Sequence, residues 1–192
     1  MENNQTNQKI YQKLNEIKEK LSSGYLEDRV QDKMPAAELH AYYNQVGLKE
    51  GWLKPEYATP LSNQDPINQL KNIEAALDVV NFWIRKYQNE KFDLVSEMKA
   101  SVDYELNRGR ESLEEAANSQ HEQWKRFVQN YQKERITPGH EKFRESNYNQ
   151  FNTKYCDLDE KVKDQDRLIV AVISDVVLGL SEINYKRKIK TE

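Results

Sequence analysis

The sequence contains a single cysteine, Cys156, among its 192 residues. One thiol cannot form an intrachain disulfide, a CxxC redox pair or a multi-cysteine zinc site. The six glycines are scattered, so there is no glycine-rich loop of the kind that binds nucleotide phosphates. These scarcities exclude several classes of disulfide, zinc and nucleotide-binding protein. Because Cys156 lies near Tyr155 and Leu158, we expect it to be a small buried residue at a helix seam.

Long apolar runs are also missing. The most apolar segment, residues 168–180, has thirteen residues, whereas a membrane-spanning helix needs about 20. No segment repeats at a fixed period of about 20 to 50 residues, which argues against a solenoid. The Asn/Gln-rich residues 1–8 lack the apolar core of a secretory signal. We therefore expect a cytoplasmic protein with no membrane span.

Neither sign of charge dominates, because 29 basic and 32 acidic residues are mixed along the chain and leave a net charge of −3. No large positive field is available for a nucleic-acid backbone, so a dedicated DNA-binding domain is disfavoured. One basic cluster offers candidate phosphate contacts, although a terminal run of this kind is more often a solvated tail. It consists of Lys186, Arg187, Lys188 and Lys190.

What the sequence does have is apolar residues at helical spacing. A first apolar stripe predicts an amphipathic helix that ends at residues 22–24. The stripe consists of Ile10, Leu14, Ile17 and Leu21. A longer stripe runs from residue 70 to residue 106, with a polar gap at residues 88–91 where the helix would bend or break. In residues 168–180 the apolar side chains also keep a helical spacing. A β-strand is disfavoured there because the sequence offers no second strand to pair with it. The sequence thus predicts an all-α fold: an antiparallel helical bundle or hairpin of long helices with a small helical N-terminal part.

Local signals place the helix ends and divide the chain at about residue 64. Asp65 followed by Pro66 predicts an N-cap at the start of a long-helix bundle, residues 65–192. Gly109 with a Ser112–Glu115 capping box predicts a second start, although a helix continuous through Gly109 stays open. Residues 137–139 predict a sharp corner. A further cap is expected at Asp157, three residues before a glutamate.

The region before this bundle, residues 1–64, is predicted to hold small helices and an irregular connection. Residues 25–30 and 35–46 favour short helices, the second ended by Gly47 in a left-handed conformation. Residues 47–65 show no periodicity but carry Trp52 and Tyr57. A loop of this length is usually functional or disordered. Whether it packs on the protein's own core, the commoner case, or contacts a partner stays open.

Two features of the C-terminal half concern packing. Aromatic residues from 143 to 155 are expected to form a helical hairpin with Trp124, Phe127 and Tyr131. Residues 168–180 are expected to form the central buried helix, with Asp175 at its solvated edge. The carboxylate groups at residues 157–160 and 164–166 are interpreted as solvated helix faces.

The histidines of the sequence do not occur in the common catalytic or metal-binding patterns. No histidine follows a glutamate by three residues, as a di-iron bundle requires, and neither His-Glu pair continues to the second histidine of a zinc-protease helix. Each histidine, His40, His121 and His140, is therefore interpreted as a surface residue. The sequence predicts no catalytic residues, no metal and no cofactor.

The leading functional hypothesis is a non-enzymatic protein–protein interaction module: an assembly subunit, adaptor or proteinaceous inhibitor. Tyrosine and tryptophan supply contact area at low entropic cost. The candidate partner-binding residues are Trp52, Tyr57, Tyr42, Tyr43 and Trp83. The apolar stripes are narrow, close to two positions in seven, which suits a partner helix. The partner is expected to be another protein or a second copy of the chain, in a coiled-coil arrangement.

Two alternatives stay open. One is a helical enzyme or small-ligand binder with an inter-helix aromatic pocket lined by Tyr87, Trp124 and Tyr155. The other is a minor subunit of a nucleoprotein complex that contacts nucleic acid through Lys125, Arg126 and the C-terminal basic cluster.

Overall fold

The computed structural model of the chain describes residues 2–22, 34–49, 54–89 and 92–179. Within these ranges the regular secondary structure is helical and no strand occurs, which confirms the all-α prediction. None of the helices described combines the length and apolar character needed to cross a bilayer. The α-helices are α1 (Glu2–Ser22), α2 (Met34–Lys49), α3 (Pro66–Asn89), α4 (Leu94–Val102), α5 (Glu111–Tyr131), α6 (Glu145–Asn152) and α7 (Glu160–Leu178).

Helix α7 lies at the centre of the fold and packs against α2, α3, α4 and α5. Its Val170, Ile173 and Val177 are completely buried, and each such side chain contributes about 1.5–3 kcal/mol by leaving water. The prediction of a central buried helix is confirmed. The prediction that Asp175 lies at a solvated edge of this helix is wrong, because Asp175 is only 2% exposed. Neighbouring helices cover α7 on several sides, so the part of its polar side that contains Ser174 and Asp175 does not face solvent.

The N-terminal helices pack onto the long-helix region rather than apart from it. Helix α1 packs against α3 and α4, and α2 packs against α3 and α7. Leu14 and Leu21 of α1 and Leu39 of α2 belong to the same apolar cluster as Val79 and Ile173. The two regions distinguished in the sequence therefore share one core.

The start of α3 and its end follow the sequence signals. Asp65 Oδ1 accepts hydrogen bonds from the backbone N–H groups of Ile67 (3.0 Å) and Asn68 (3.1 Å), as an N-cap residue does. The predicted polar gap separates α3 from α4, which begins at Leu94. There Asn7 of α1 adds a contact that the sequence did not indicate, since its Oδ1 accepts a hydrogen bond from the backbone N–H of Val95 at 3.0 Å. Helix α1 thus caps α4 across the fold.

The chain does not run as a continuous helix through Gly109, which has a positive φ of 83° that favours glycine. Helix α5 begins two residues later, but Ser112 does not cap it. The Ser112 hydroxyl instead donates to Glu97 of α4. Glu114 Oε1 accepts a hydrogen bond from the backbone N–H of Gly109 at 2.8 Å and holds the turn. The capping-box prediction is wrong because a carboxylate from another helix competes for the serine.

Three other boundaries differ from expectation. Helix α2 continues through Gly47 to Lys49, so Gly47 is not its left-handed terminator. The connection that follows contains two short 3-10 helices, Pro55–Tyr57 and Leu61–Asn63. Helix α7 begins after Asp159 rather than after Asp157, and the Asp159 side chain makes no capping bond. Residues 25–30, for which a short helix was predicted, lie outside the described ranges.

The predicted aromatic hairpin forms only in part. The corner at residues 137–139 is present, with Gly139 at a φ of 85°. The segment after it is not one long helix, because α6 covers only eight residues and buries none of them. Helix α6 packs mainly on the 3-10 turn Lys133–Ile136. Its Phe151 lies under the Lys125 ammonium group of α5 at 5.9 Å.

Candidate functional site

Tyr57 is the predicted contact residue that the structure displays most clearly, with 64% of its surface exposed. The connection that carries it is fixed to α2 at Thr59. The Thr59 carbonyl accepts hydrogen bonds from His40 Nε2 (3.0 Å) and Asn44 Nδ2 (2.9 Å). The Thr59 hydroxyl also bonds to Gln64 Nε2 at 2.6 Å. Burial lowers the pKa of His40 below its usual 6.5, and because a carbonyl oxygen can only accept, Nε2 carries the hydrogen of its bond to Thr59.

The structure describes the other predicted contact residues unevenly. Tyr42 is partly buried, and burial together with the nearby carboxylate of Glu105 raises the pKa of its hydroxyl. The side chain of Tyr43 and the whole of Trp52 lie outside the described part of the chain. The same holds for the C-terminal basic cluster.

The prediction that Trp83 contacts a partner is wrong, because its side chain is completely buried. Its Nε1–H donates to the Ser174 hydroxyl of α7 at 3.1 Å. Its ring meets that of Phe82 edge to face, with centroids 5.1 Å apart. Since α3 packs against α1, α2, α5 and α7, a residue beside its apolar stripe is covered as well. Trp83 therefore belongs to the core.

A cluster of charged side chains joins α5 to α7 around Arg167, which is only 3% exposed. Arg167 donates two hydrogen bonds to Glu114, from Nε to Oε1 (3.0 Å) and from Nη2 to Oε2 (2.9 Å). Its Nη1 donates to Glu160 Oε2 (2.7 Å) and to Asp164 Oδ1 (2.8 Å). The Tyr155 hydroxyl donates to Glu114 Oε2 at 2.7 Å. We call Arg167, Glu114, Glu160, Asp164 and Tyr155 the Arg167 cluster.

The three carboxylates of the Arg167 cluster outnumber its one guanidinium group, and two neighbouring cations balance them: Arg108 Nη2 donates to Asp164 Oδ2 at 2.7 Å, and Lys163 Nζ donates to Glu160 Oε1 at 3.2 Å. Burial would raise the pKa of Glu114, but hydrogen bonds from Arg167, the Gly109 backbone and Tyr155 outweigh it and lower that pKa. Burial and the bond to Glu114 raise the pKa of the Tyr155 hydroxyl. Arg167 keeps its charge because its three carboxylate partners outweigh the cost of burial and raise its pKa. This pattern is typical of an ion cluster that fixes two helices together.

His121, interpreted from the sequence as a surface residue, is 2% exposed. Its Nε2 lies 3.1 Å from the carbonyl oxygen of Thr153, and its Nδ1 lies 3.5 Å from Oδ2 of Asp166. The ring is stacked with Trp124 at a centroid distance of 5.8 Å and tilted against Tyr155 at 6.2 Å. The sequence carried a signal for this position, because residue 121 follows Leu113 and Ala117 at steps of four on the buried face of α5.

The aromatic pocket proposed as an alternative is not assembled as expected. Trp124 and Tyr155 both lie next to His121, whereas Tyr87 contacts Tyr11 of α1 with ring centroids 5.0 Å apart. Cys156, expected at a buried seam, is exposed. It lies in the 3-10 turn Tyr155–Asp157, and only Tyr155 of that turn points into the core.

The two basic residues of the nucleic-acid alternative lie on α5. Lys125 Nζ pairs with Glu122 at 3.2 Å, and the Arg126 side chain is 63% exposed with Nη2 at 3.8 Å from Asp78. Among the residues that the structure describes, no three His, Cys, Asp or Glu side chains are grouped so that they could hold a metal ion. In comparisons with known proteins, no family model, curated protein or solved structure matches the chain.

Proposed function

We propose that the protein is a non-enzymatic protein–protein interaction module, such as an assembly subunit, an adaptor or a proteinaceous inhibitor. In this proposal a rigid helical surface binds the partner, and Tyr57 is a central contact. The observation that carries the proposal is a largely exposed tyrosine on a connection that three side chains hold in place.

Exposure of Tyr57 has a cost that a partner would remove. A tyrosine ring left in water forgoes the free energy of burying its apolar area. Because Thr59 is anchored to α2, little conformational entropy remains to be lost when a partner packs on the ring two residues away. Tyrosines in such positions are frequent among the residues that dominate binding energy.

A second apolar residue supports the same face. Leu48 is exposed and follows Asn44 by one helical turn, so it extends the side of α2 that holds Thr59. A surface that includes Leu48 and Tyr57 combines aliphatic and aromatic area, as the centres of protein interfaces do. The charged side chains of the Arg167 cluster, by contrast, form ion pairs within the chain, which favours a structural role over a catalytic one.

The test replaces Tyr57 by alanine, with Tyr148→Ala as the matched control. Tyr148 is a second exposed tyrosine, on α6. Each tagged variant is used to capture proteins from the native source, and recovery is quantified by mass spectrometry. A protein recovered by the wild type and Tyr148→Ala, but lost with Tyr57→Ala, is then purified for measurement of Kd. We expect the alanine to weaken binding by about thirtyfold, the effect of about 2 kcal/mol.

Circular dichroism and thermal melting verify that Tyr57→Ala leaves the fold intact. Loss of helicity would mean that Tyr57 belongs to the core and would contradict the proposal. Equal recovery of every bound protein by wild type and Tyr57→Ala would also contradict it. Sedimentation velocity of the wild type and of Tyr57→Ala tests the special case in which the partner is a second copy of the chain.

A further inference from the structure

His121 has hydrogen-bond acceptors at both of its ring nitrogens. A carbonyl oxygen can only accept, so Nε2, 3.1 Å from Thr153 O, must carry a hydrogen. Nδ1 faces the carboxylate of Asp166 at 3.5 Å. Two groups with only lone pairs would repel each other there, and one further proton makes the contact attractive. The geometry therefore favours a His121–Asp166 pair that holds one shared proton.

We propose that this pair is a proton-dependent switch: with its shared proton it helps the Tyr155–Glu114 bond to hold residues 153–158 against α5, and when the proton is lost at higher pH the segment opens more readily. The switch would regulate the local conformation of the segment between α6 and α7. It is independent of the Tyr57 surface and of the proposed function.

Loss of the proton leaves His121 with one N–H for two acceptors. If that hydrogen stays on Nε2, the lone pair of Nδ1 faces an ionised Asp166 that is only 8% exposed. If it moves to Nδ1, the contact with the carboxylate is kept and the lone pair of Nε2 faces the Thr153 carbonyl. The second arrangement is favoured because a carboxylate is the stronger acceptor. Deprotonation thus turns the bond that holds Thr153 into a repulsive contact.

The groups around the ring favour retention of the proton. Asp166 of α7 attracts it, whereas Lys125, one turn away on α5, opposes it. Lys125 is itself paired with Glu122. Trp124 of α5 stacks on the ring, and an indole face attracts a cation. Arg167 of α7, the other charge that acts on Asp166, is bonded to the carboxylates of its own cluster.

These effects fix the direction of the pH dependence. Burial lowers the pKa of His121, but Asp166 and the Thr153 carbonyl outweigh it and raise the pKa above its usual 6.5. We call the arrangement in which residues 153–158 pack against α5 the closed state. Because the His121 pKa is raised in this state, the proton's stabilisation of the closed state is complete below pH 6.5 and is lost as the pH rises to the closed-state pKa. Between these two values the equilibrium constant for opening increases by up to about tenfold per pH unit.

Nuclear magnetic resonance of the full chain tests the proposal. The imidazole signal of His121 is assigned by its absence in His121→Gln, and its titration gives the closed-state pKa, with His40 and His140 as internal references. Hydrogen exchange of the Asp157 and Leu158 amides, which bond to Lys154 O and Tyr155 O, reports opening of the segment. Protection factors, which remove the intrinsic pH dependence of exchange, are compared across the same pH range.

We expect a His121 midpoint above 6.5 that falls in Asp166→Asn. We also expect the two amides to lose protection by a factor matching the pKa shift, about tenfold for a shift of one unit. The proposal is overturned by a midpoint at or below 6.5, by a midpoint that Asp166→Asn leaves unchanged, or by protection that does not vary with pH. If His121→Gln fails to fold, replacing His40 and His140 in turn assigns the His121 signal by elimination, and the wild-type and Asp166→Asn titrations still decide between these results.

Discussion

Replacement of Glu114 by glutamine tests whether the Arg167 cluster stabilises the fold. Glu114 accepts hydrogen bonds from Arg167 Nε and Nη2, from Tyr155 and from the backbone of Gly109. The amide group of a glutamine offers one acceptor oxygen and an NH2 group, and this NH2 group would face donors. The variant therefore loses both the charge and part of the hydrogen bonding with almost no change in volume.

The size of the effect follows from the burial of the two partners. Removal of one partner of a fully buried pair costs about 3–5 kcal/mol. Arg167 is fully buried, but the Glu114 side chain is 24% exposed and Arg167 keeps two other carboxylates. We therefore expect a value near the lower limit, about 3 kcal/mol, which corresponds to a fall in Tm of about 6–12 °C for a protein of this size.

Urea unfolding followed by helical circular dichroism measures this change at neutral pH. The matched control is Glu115→Gln, the same substitution one residue later, where the side chain is 44% exposed and pairs with Lys86. An exposed pair of this kind contributes less than about 1 kcal/mol. If the two glutamine variants unfold at the same urea concentration, the Arg167 cluster does not stabilise the protein as inferred.

The difference between wild type and Glu114→Gln also depends on pH. The partners of Glu114 hold its folded-state pKa below the usual 4.5. A lowered pKa contributes stability that is complete above 4.5 and is lost as the pH falls through the folded-state value. The advantage of the wild type should therefore shrink in acid. An advantage that stays constant down to about pH 2 would show that hydrogen bonding or packing, rather than the carboxylate charge, stabilises this junction.

Two further predictions concern contacts between helices. Asn7→Ala removes the acceptor for the Val95 amide and should destabilise the protein by about 1 kcal/mol; Asn7→Asp, which keeps an acceptor at that helix start, should restore most of it in the same unfolding assay. Trp83→Phe leaves Ser174 without its indole donor and opens space in the core, so it should cost about 2–3 kcal/mol. Tyr57→Phe on the exposed connection is the control, and equal midpoints for these two variants would contradict the core position of Trp83.

The sequence predicted those parts of the fold that depend on local pattern. Apolar residues at helical spacing identify α1, α3 and α7 because the same periodicity that forms an amphipathic helix also determines which face it buries. Asp65 could be identified as a cap because its acceptor and the amides that it bonds lie within three residues of each other. The break between α3 and α4 followed from a polar gap that would leave a continuous helix without an apolar face.

Predictions failed where a distant residue competes with the local one. Ser112 has the spacing of a cap, but Glu97 of α4 lies close enough to take its hydroxyl. The sequence predicts Trp83 near the surface and His121 at the surface because neither lies on an apolar stripe of two positions in seven. Both are buried because α3 and α5 each pack against more than one helix, which widens the buried arc beyond two positions in seven.

The carboxylates of α7 show why the polar interior was missed. Residues 157–166 have many acidic groups, and taken alone each resembles a solvated helix face. Asp157, Asp159 and Glu160 are exposed, as expected. Asp164, by contrast, is partly buried against Arg167 of its own helix, and Asp166 is buried against His121 of α5. Glu114, the other main partner of Arg167, lies 53 residues away in the sequence. A helix spacing can place charges on one face, but only the packing of α5 against α7 determines whether that face meets water or a partner.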